Sequence, residues 1–194
     1  GRAQTQWEAC KRTLIQDNDS RRALLLINLP VDNVKAAEVG SKDVPCTLSL
    51  QFFIRRNRLI LHTHMRSNDA IWGLTYDLFS FTLLQEMMML ELNRDGHLGL
   101  DVGEYIHTAG SLHLYDQHYE MAREVQKEVS SNQFRHAEPM ERLTLGGVAS
   151  LAAQEEALRT GKVDQLDTAQ FDGGARWMAE QLNNHRKKRD SQRG

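Results

Sequence analysis

An α+β fold is predicted for this chain of 194 residues by three observations. Apolar residues recur at helical spacing at the start, alternate strictly through residues 46–66, and fill nearly every side of residues 78–92. The opening stretch 4–16 reads as a helix with Trp7, Cys10 and Leu14 on one face. DNDS (17–20) is a turn cluster, and RRALLLINLP (21–30) reads as a short buried strand closed by Pro30. From Cys46 onward, Leu48, Leu50, Phe52 and Ile54 share one strand face, while Thr47, Ser49 and Gln51 line the other. RRN (55–57) makes a turn, and the hairpin returns through 58–66 with Ile60, His62, His64 and Arg66 on one face. Residues 78–92 have the length and all-round apolarity of a central buried helix. Residues 101–116 return as strand, residues 117–129 begin a helix, and further helices are expected near 141–159 and 175–188. There is no internal repeat.

Composition narrows the function classes. A net charge of −2 with 26% charged and 40% hydrophobic residues gives no broad basic surface for nucleic acid, so no nucleic-acid partner is expected. No apolar run reaches the ~20 residues that a membrane-spanning helix needs. The 2 cysteines, Cys10 and Cys46, make neither a disulfide framework nor a C-x-x-C metal signature, which fits a reducing, cytoplasmic setting. The length suits a single domain over 1–194, and the basic run 185–194 is expected to be a solvated, disordered tail.

Several residues could carry chemistry. Cys46 follows Pro45 at the head of a strand; it reads either as a buried structural thiol or as a nucleophile, which needs cationic neighbours. Arg21 and Arg22 precede one strand and Arg66 ends another, with Ser67 beside it; such a group suits a phosphate, because guanidinium forks match its oxygens. His62 and His64 face the same way, but no third ligand stands at metal-site spacing, so no metal is expected. His113 and Tyr115 share a strand face and could either hydrogen-bond a sugar or pair in the core.

Together these signals resemble a family. DSRR (19–22), VPC (44–46), RSND (66–69), the Gly73-x-x-x-Asp77 spacing and HTAGSLHLY (107–115) occur in the order found in thymidylate synthases, over residues 3 to 120. The resemblance implies the thymidylate synthase α/β sandwich, with a large mixed sheet and a central buried helix, working as a homodimer. Cys46 matches the nucleophile that attacks C6 of the pyrimidine. Arg66 and Ser67 match phosphate ligands, and Arg21 and Arg22 match arginines lent across the interface to the partner subunit's phosphate. Asp69 matches the aspartate near base and folate, and His113 and Tyr115 match the pair holding the sugar hydroxyl.

Asp77 stands where thymidylate synthases carry asparagine. Uracil presents a donor at N3–H beside an acceptor at O4, and an amide complements both. Cytosine presents an acceptor at N3 beside an amino donor. A carboxylate accepts from that amino group, and one proton shared with N3 removes the remaining clash. Asp77 therefore reads as a cytosine selector and resembles the aspartate of cytidylate 5-hydroxymethylases. These include phage enzymes acting on dCMP and enzymes of nucleoside-antibiotic pathways, such as mildiomycin's, acting on CMP. The implied reaction adds Cys46 to C6 and joins C5 to the one-carbon unit of 5,10-methylenetetrahydrofolate. Water then quenches the exocyclic methylene, giving 5-hydroxymethylcytidylate without a metal. CMP is the expected substrate, with dCMP, a uridylate reaction and a non-catalytic nucleotide-binding role as alternatives.

The chain departs from the family pattern in three places. Most of what the family carries before DSRR, including a glutamate for proton transfer, has no counterpart, so an upstream part is expected to be missing. Met65 replaces the usual glutamine and Thr47 follows the cysteine where many synthases have histidine. After residue 120 the pattern stops.

Overall fold

The computed structural model describes residues 5–131 and 140–191, the last four of these by backbone alone. The chain divides into two compact units, Gly1–Phe134 and Arg135–Gly194.

In the first unit, α1 (Gln6–Gln16) starts at Thr5, whose hydroxyl accepts the Glu8 N–H at 3.2 Å. A three-residue strand, β1 (Leu24–Leu26), follows. Where the sequence suggested only that Pro30 closes a strand, Pro30 instead opens α2 (Pro30–Val39). Proline suits a first helical position because the N–H it lacks would have no partner there. The Asp32 carboxylate accepts the Leu29 N–H at 2.9 Å, and Gly40, at φ 66°, ends the helix.

The expected hairpin is β2 (Thr47–Arg55) and β3 (Arg58–Met65), turned by Arg56 and Asn57, both with positive φ. After the two-residue β4 (Asn68–Asp69) comes α3 (Trp72–Gly96), then β5 (Asp101–Ala109), β6 (Leu112–His113) and α4 (Tyr119–Ser130). The strand expected over 101–116 therefore breaks at Gly110–Ser111, and its last part leaves the main sheet to pair in parallel with β4.

The main sheet has the order β1-β2-β3-β5, antiparallel except for the parallel β3–β5 pair, so it is mixed. Its inner face carries Leu25, Leu50, Phe52, Ile54, Leu59 and Leu61 beneath α1 and α3. Alternation in β2 and β3 places these side chains inward as the sequence predicts. The exception is Leu48, expected on the same face, which is 38% exposed where the β2–β3 register shifts between Thr47 and Ser49. Where the β3–β5 register slips between Leu59 and Leu61, the buried Gln85 amide donates to the Leu59 and Glu104 carbonyls at 2.8 and 3.1 Å. A Cβ at Gly103 would stand 2.7 Å from the Leu59 carbonyl oxygen, so this crossing requires glycine.

Helix α3 is longer and less buried than expected. Only Gln85, Met88, Met89 and Leu92, all in its second half, are buried, while Trp72, Tyr76, Leu78 and Phe79 are exposed. Its anchor to α1 is ionic: Lys11, 6% exposed, meets Glu8, Glu91 and Asp95 at 3.1, 2.9 and 2.8 Å. The opposite face of the sheet carries Leu24, Leu26, Gln51, Phe53, Ile60, His62 and Ile106, none of them buried.

The second unit consists of α5 (Leu145–Arg159) and α6 (Gly173–Ser191) around Leu158, Leu166, Phe171, Ala175 and Ala179. Helix α6 takes in the basic run up to Ser191, where a disordered tail is expected, and Arg186 within it binds the Leu158 carbonyl and Asp164. Residues 192–194 lie outside the described residues.

Candidate active site

Residues 65–69 tie most of the sequence-predicted groups together. At the ends of β2 and β3, Arg66 donates its backbone N–H to the Cys46 carbonyl at 2.9 Å. Its guanidinium Nε and Nη2 donate to the carbonyls of Pro45 and Val44 at 3.2 and 2.7 Å. A cation is thus fixed on the turn that carries Cys46, and Nη1 takes no part in these bonds. Cys46 is exposed, whereas Cys10 is buried in the core and burial pushes its thiol up to about 11. Of the two thiols, Cys46 is the one open to an incoming group.

Ser67 Oγ lies 3.3 Å from His113 Nδ1, and the His113 and Tyr115 rings meet edge to face at 4.8 Å. The parallel pairing of β4 with β6 produces this meeting, since it sets Asp69 opposite His113.

Asn68 is 3% exposed, and its Nδ2 lies 2.9 Å from Asp77 Oδ2 and 3.0 Å from His107 Nε2. His107 Nδ1 in turn lies 2.7 Å from the Tyr105 hydroxyl. Asp77, in the second turn of α3, is thus met by an amide donor. Burial lowers His107 below the ordinary imidazole range, against the opposing pull of the Asp77 carboxylate. Burial also raises Tyr105, with Thr63 acting against it and Asp77 adding to it.

Asp69 opens α3. Its carboxylate accepts from the N–H groups of Ile71, Trp72 and Gly73 at 3.3, 2.8 and 3.0 Å, and His118 Nδ1 stands 3.7 Å away. Desolvation would raise this carboxyl, but the three N–H groups and His118 together hold it below its ordinary value. Beside it, a groove of about 400 Å³ runs between α3 and α4, lined by Ile71, Trp72, Thr75, Tyr76, Met121 and Val125. The Trp72 and Tyr76 rings are nearly parallel, at 16°.

Arg21 and Arg22 stand apart from this cluster, exposed in the turn before β1. Arg22 faces Asp17 at 3.9 Å, and the Arg21 carbonyl accepts from Gln51. His62 and His64 lie on the open sheet face with rings 3.9 Å apart, and His62 Nε2 is 2.7 Å from the Thr108 hydroxyl. Burial and His64 both lower His62. Among the described residues no group of three or more His, Cys, Asp or Glu is placed to hold a metal ion.

Sequence reasoning passed over Asn68, Tyr105, His107 and the aromatic pair Trp72–Tyr76. The alternation of 101–109 already places Tyr105 and His107 on one face, and their polarity on an apolar face is the signal that could have found them.

Residues 1–146 match the family model for thymidylate synthase. The chain belongs to the thymidylate synthase family. Among its relatives, the deoxycytidylate 5-hydroxymethyltransferase of Enterobacteria phage T4 is 30% identical over 115 residues, 59% of this chain and 47% of that enzyme. The thymidylate synthase of Listeria monocytogenes is 36% identical over 80 residues, 41% of this chain and 24% of that enzyme. That of Buchnera aphidicola is 31% identical over 109 residues, 56% and 37% respectively. The chain spans less than half the length of these relatives. The mixed sheet beneath α1 and α3 agrees with the family's α+β fold. Thymidylate synthase-like one-carbon transfer to a nucleotide, with methylenetetrahydrofolate as co-substrate, is the family's chemistry.

Proposed function

We propose that the protein hydroxymethylates C5 of a cytidylate, CMP or dCMP. The observation that carries this reading is the Asp77 carboxylate, held through Oδ2 by Asn68. A carboxylate so held offers only acceptors, which suit the amino group of cytosine and oppose O4 of uracil. The relative from phage T4 bears a name that specifies deoxycytidylate, which supports the same choice.

In this reading the Cys46 thiolate adds to C6, presented on the turn that Arg66 holds. The electron pair displaced to C5 forms the new carbon–carbon bond to the methylene of the folate co-substrate. Loss of the C5 proton and cleavage of the methylene–nitrogen bond leave an exocyclic methylene on the pyrimidine. Water adds to it, and Cys46 is expelled. Asp77 accepts from N4 and shares one proton with N3, withdrawing electrons from the ring as sulfur adds. Arg66, through Nη1, and Ser67 bind the phosphate, while His113 and Tyr115 hold the sugar hydroxyl. Asp69 keeps the start of α3 in place beside base and folate. The groove at Trp72 and Tyr76 has the flatness and apolarity that a pterin ring fits.

The open sheet face supports a homodimer. Leu24, Leu26 and Ile106 are 39%, 45% and 40% exposed on it, and a second copy packed face to face would cover them. In that assembly Arg21 and Arg22 reach the phosphate bound by the partner subunit. No helix among the described residues is long and apolar enough to cross a membrane, and cytoplasmic work on a soluble nucleotide accords with this.

The test is incubation with methylenetetrahydrofolate and CMP, dCMP or dUMP, each labelled with tritium at C5. Tritium release from a cytidylate, with a product heavier by one hydroxymethyl group, is expected. Turnover of dUMP with both cytidylates inert would reject the reading.

A further inference from the structure

We infer that Asn68 and His107 are positioning residues that fix the Asp77 carboxylate for reading the base, with His107 acting through the Asn68 amide. The inference rests on the proposed function and adds to it two residues that never touch the substrate.

The Asn68 Nδ2 has two protons and three neighbours within reach: Asp77 Oδ2 at 2.9 Å, His107 Nε2 at 3.0 Å and Met65 Sδ at 3.0 Å. A thioether is the weakest acceptor of the three, so the carboxylate and the imidazole take the two protons. His107 Nε2 is then the bare nitrogen and Nδ1 carries the hydrogen, which it donates to the Tyr105 oxygen at 2.7 Å. The chain of donors runs one way only. The carboxylate of Asp77, an acceptor only, turns the Asn68 nitrogen toward itself. The second amide proton goes to His107 Nε2, and His107 Nδ1 donates onward to Tyr105, so the bare Nε2 helps hold the amide in that orientation. Oδ1 of Asp77 and the remaining lone pair of Oδ2 are left for the ligand.

The opposite amide orientation would aim the Asn68 oxygen at the Asp77 carboxylate, which cannot donate to it. The observed orientation carries a cost instead. Asn68 Oδ1 is buried without a hydrogen-bond partner and faces Gly73, where a Cβ would stand only 2.7 Å away. A buried amide oxygen left unpaired is unfavourable. It is retained here because the other end of the amide holds a carboxylate in one position.

Two variants of His107 separate hydrogen bonding from packing. His107→Phe keeps a ring of similar size but removes the acceptor; His107→Gln loses the ring but can present an amide oxygen to Asn68. A merely structural histidine would tolerate Phe better than Gln. The inference expects the reverse. His107→Phe should lower kcat/KM for cytidylate roughly 10- to 100-fold, the size of the Asn68 bond to the Asp77 carboxylate that it would loosen. The loss should fall on kcat more than KM and reduce the preference over dUMP, and His107→Gln should restore most of both. A Phe variant equal to wild type in kcat and in base preference overturns the inference. Nitrogen NMR of labelled histidine in the unaltered protein gives a second reading that needs no variant. A proton on Nδ1 of His107 supports the chain of donors, and a proton on Nε2 overturns it. Unaltered protein that releases no tritium from either cytidylate rejects the proposed function itself, and this inference with it.

Discussion

Replacing Asp77 by Asn should convert the base preference, and the local geometry says in which direction. Asn68 Nδ2 donates to Asp77 Oδ2 across 2.9 Å, and a substituted amide keeps that bond only by placing its own oxygen there. Its NH₂ group then occupies the Oδ1 position and points a donor where cytosine brings its own amino donor. Cytidylate loses a bond to a charged acceptor, about 1.5–3 kcal/mol, and leaves a desolvated donor unpaired, about 1–3 kcal/mol. The sum is about 2.5–6 kcal/mol, or roughly 10²- to 10⁴-fold in kcat/KM. Uracil, with O4 as acceptor and N3–H as donor, meets the new amide well. The assay is competition between CMP or dCMP and dUMP, scored by tritium release from C5. Thermal unfolding should change little, because the Asn68 bond survives. Cytidylate turnover retained within tenfold, or lost without any gain for dUMP, would refute the reasoning about base edges.

Further tests address other parts of the molecule. Cys46→Ser should abolish turnover while leaving the fold intact, and iodoacetamide should label Cys46 in the native protein but reach Cys10, 3% exposed, only after unfolding. Gly73→Ala should destabilise by about 1–3 kcal/mol, as overpacking does, because the new Cβ would meet Asn68 Oδ1 at 2.7 Å; a rise in Tm, as an exposed helical position would give, contradicts this. Lys11→Met should cost about 1–3 kcal/mol in urea unfolding at neutral pH, less than a fully buried pair because Glu8 and Asp95 are partly solvated. Asp95 is held below the usual carboxylate range by Arg94 first and Lys11 second, so its contribution is present above about pH 4 and lost as pH falls through the depressed value. Burial would lower Lys11, but Asp95, Glu91 and Glu8 raise it, so its contribution holds below about pH 10 and is lost as pH rises through the elevated value. The cost of Lys11→Met should therefore be largest between those limits and shrink in acid.

The hairpin was legible because β2 and β3 bury one face and leave the other open, so alternation alone sets which of Phe52 and Phe53 points inward. Helix α2 was not, because Pro30 after an apolar run signals a strand end and a helix start equally well. The first half of α3 misled for a different reason: Leu78 and Phe79, expected within a buried helix, are exposed, and composition alone cannot tell a core from an apolar surface. Within the site, Cys46, Arg66, Ser67, His113 and Asp77 could be singled out by residue type and order. Their links through Asn68 could not. The bond between Asn68 and Asp77 depends on where β4 leaves the sheet and α3 begins, and that is set by the pairing of two-residue strands which no periodicity announces.

The grip of Arg66 on the turn before Cys46 has a consequence for which substitutions move the sulfur. The guanidinium holds carbonyl oxygens of Val44 and Pro45, groups that every amino acid possesses. The Val44 side chain therefore matters little to where the sulfur sits, Pro45 still fixes the backbone torsion beside Cys46, and the arginine has no substitute that presents the same fork. Replacing that anchor should therefore displace the turn and its sulfur together, even with Val44 and Pro45 unchanged.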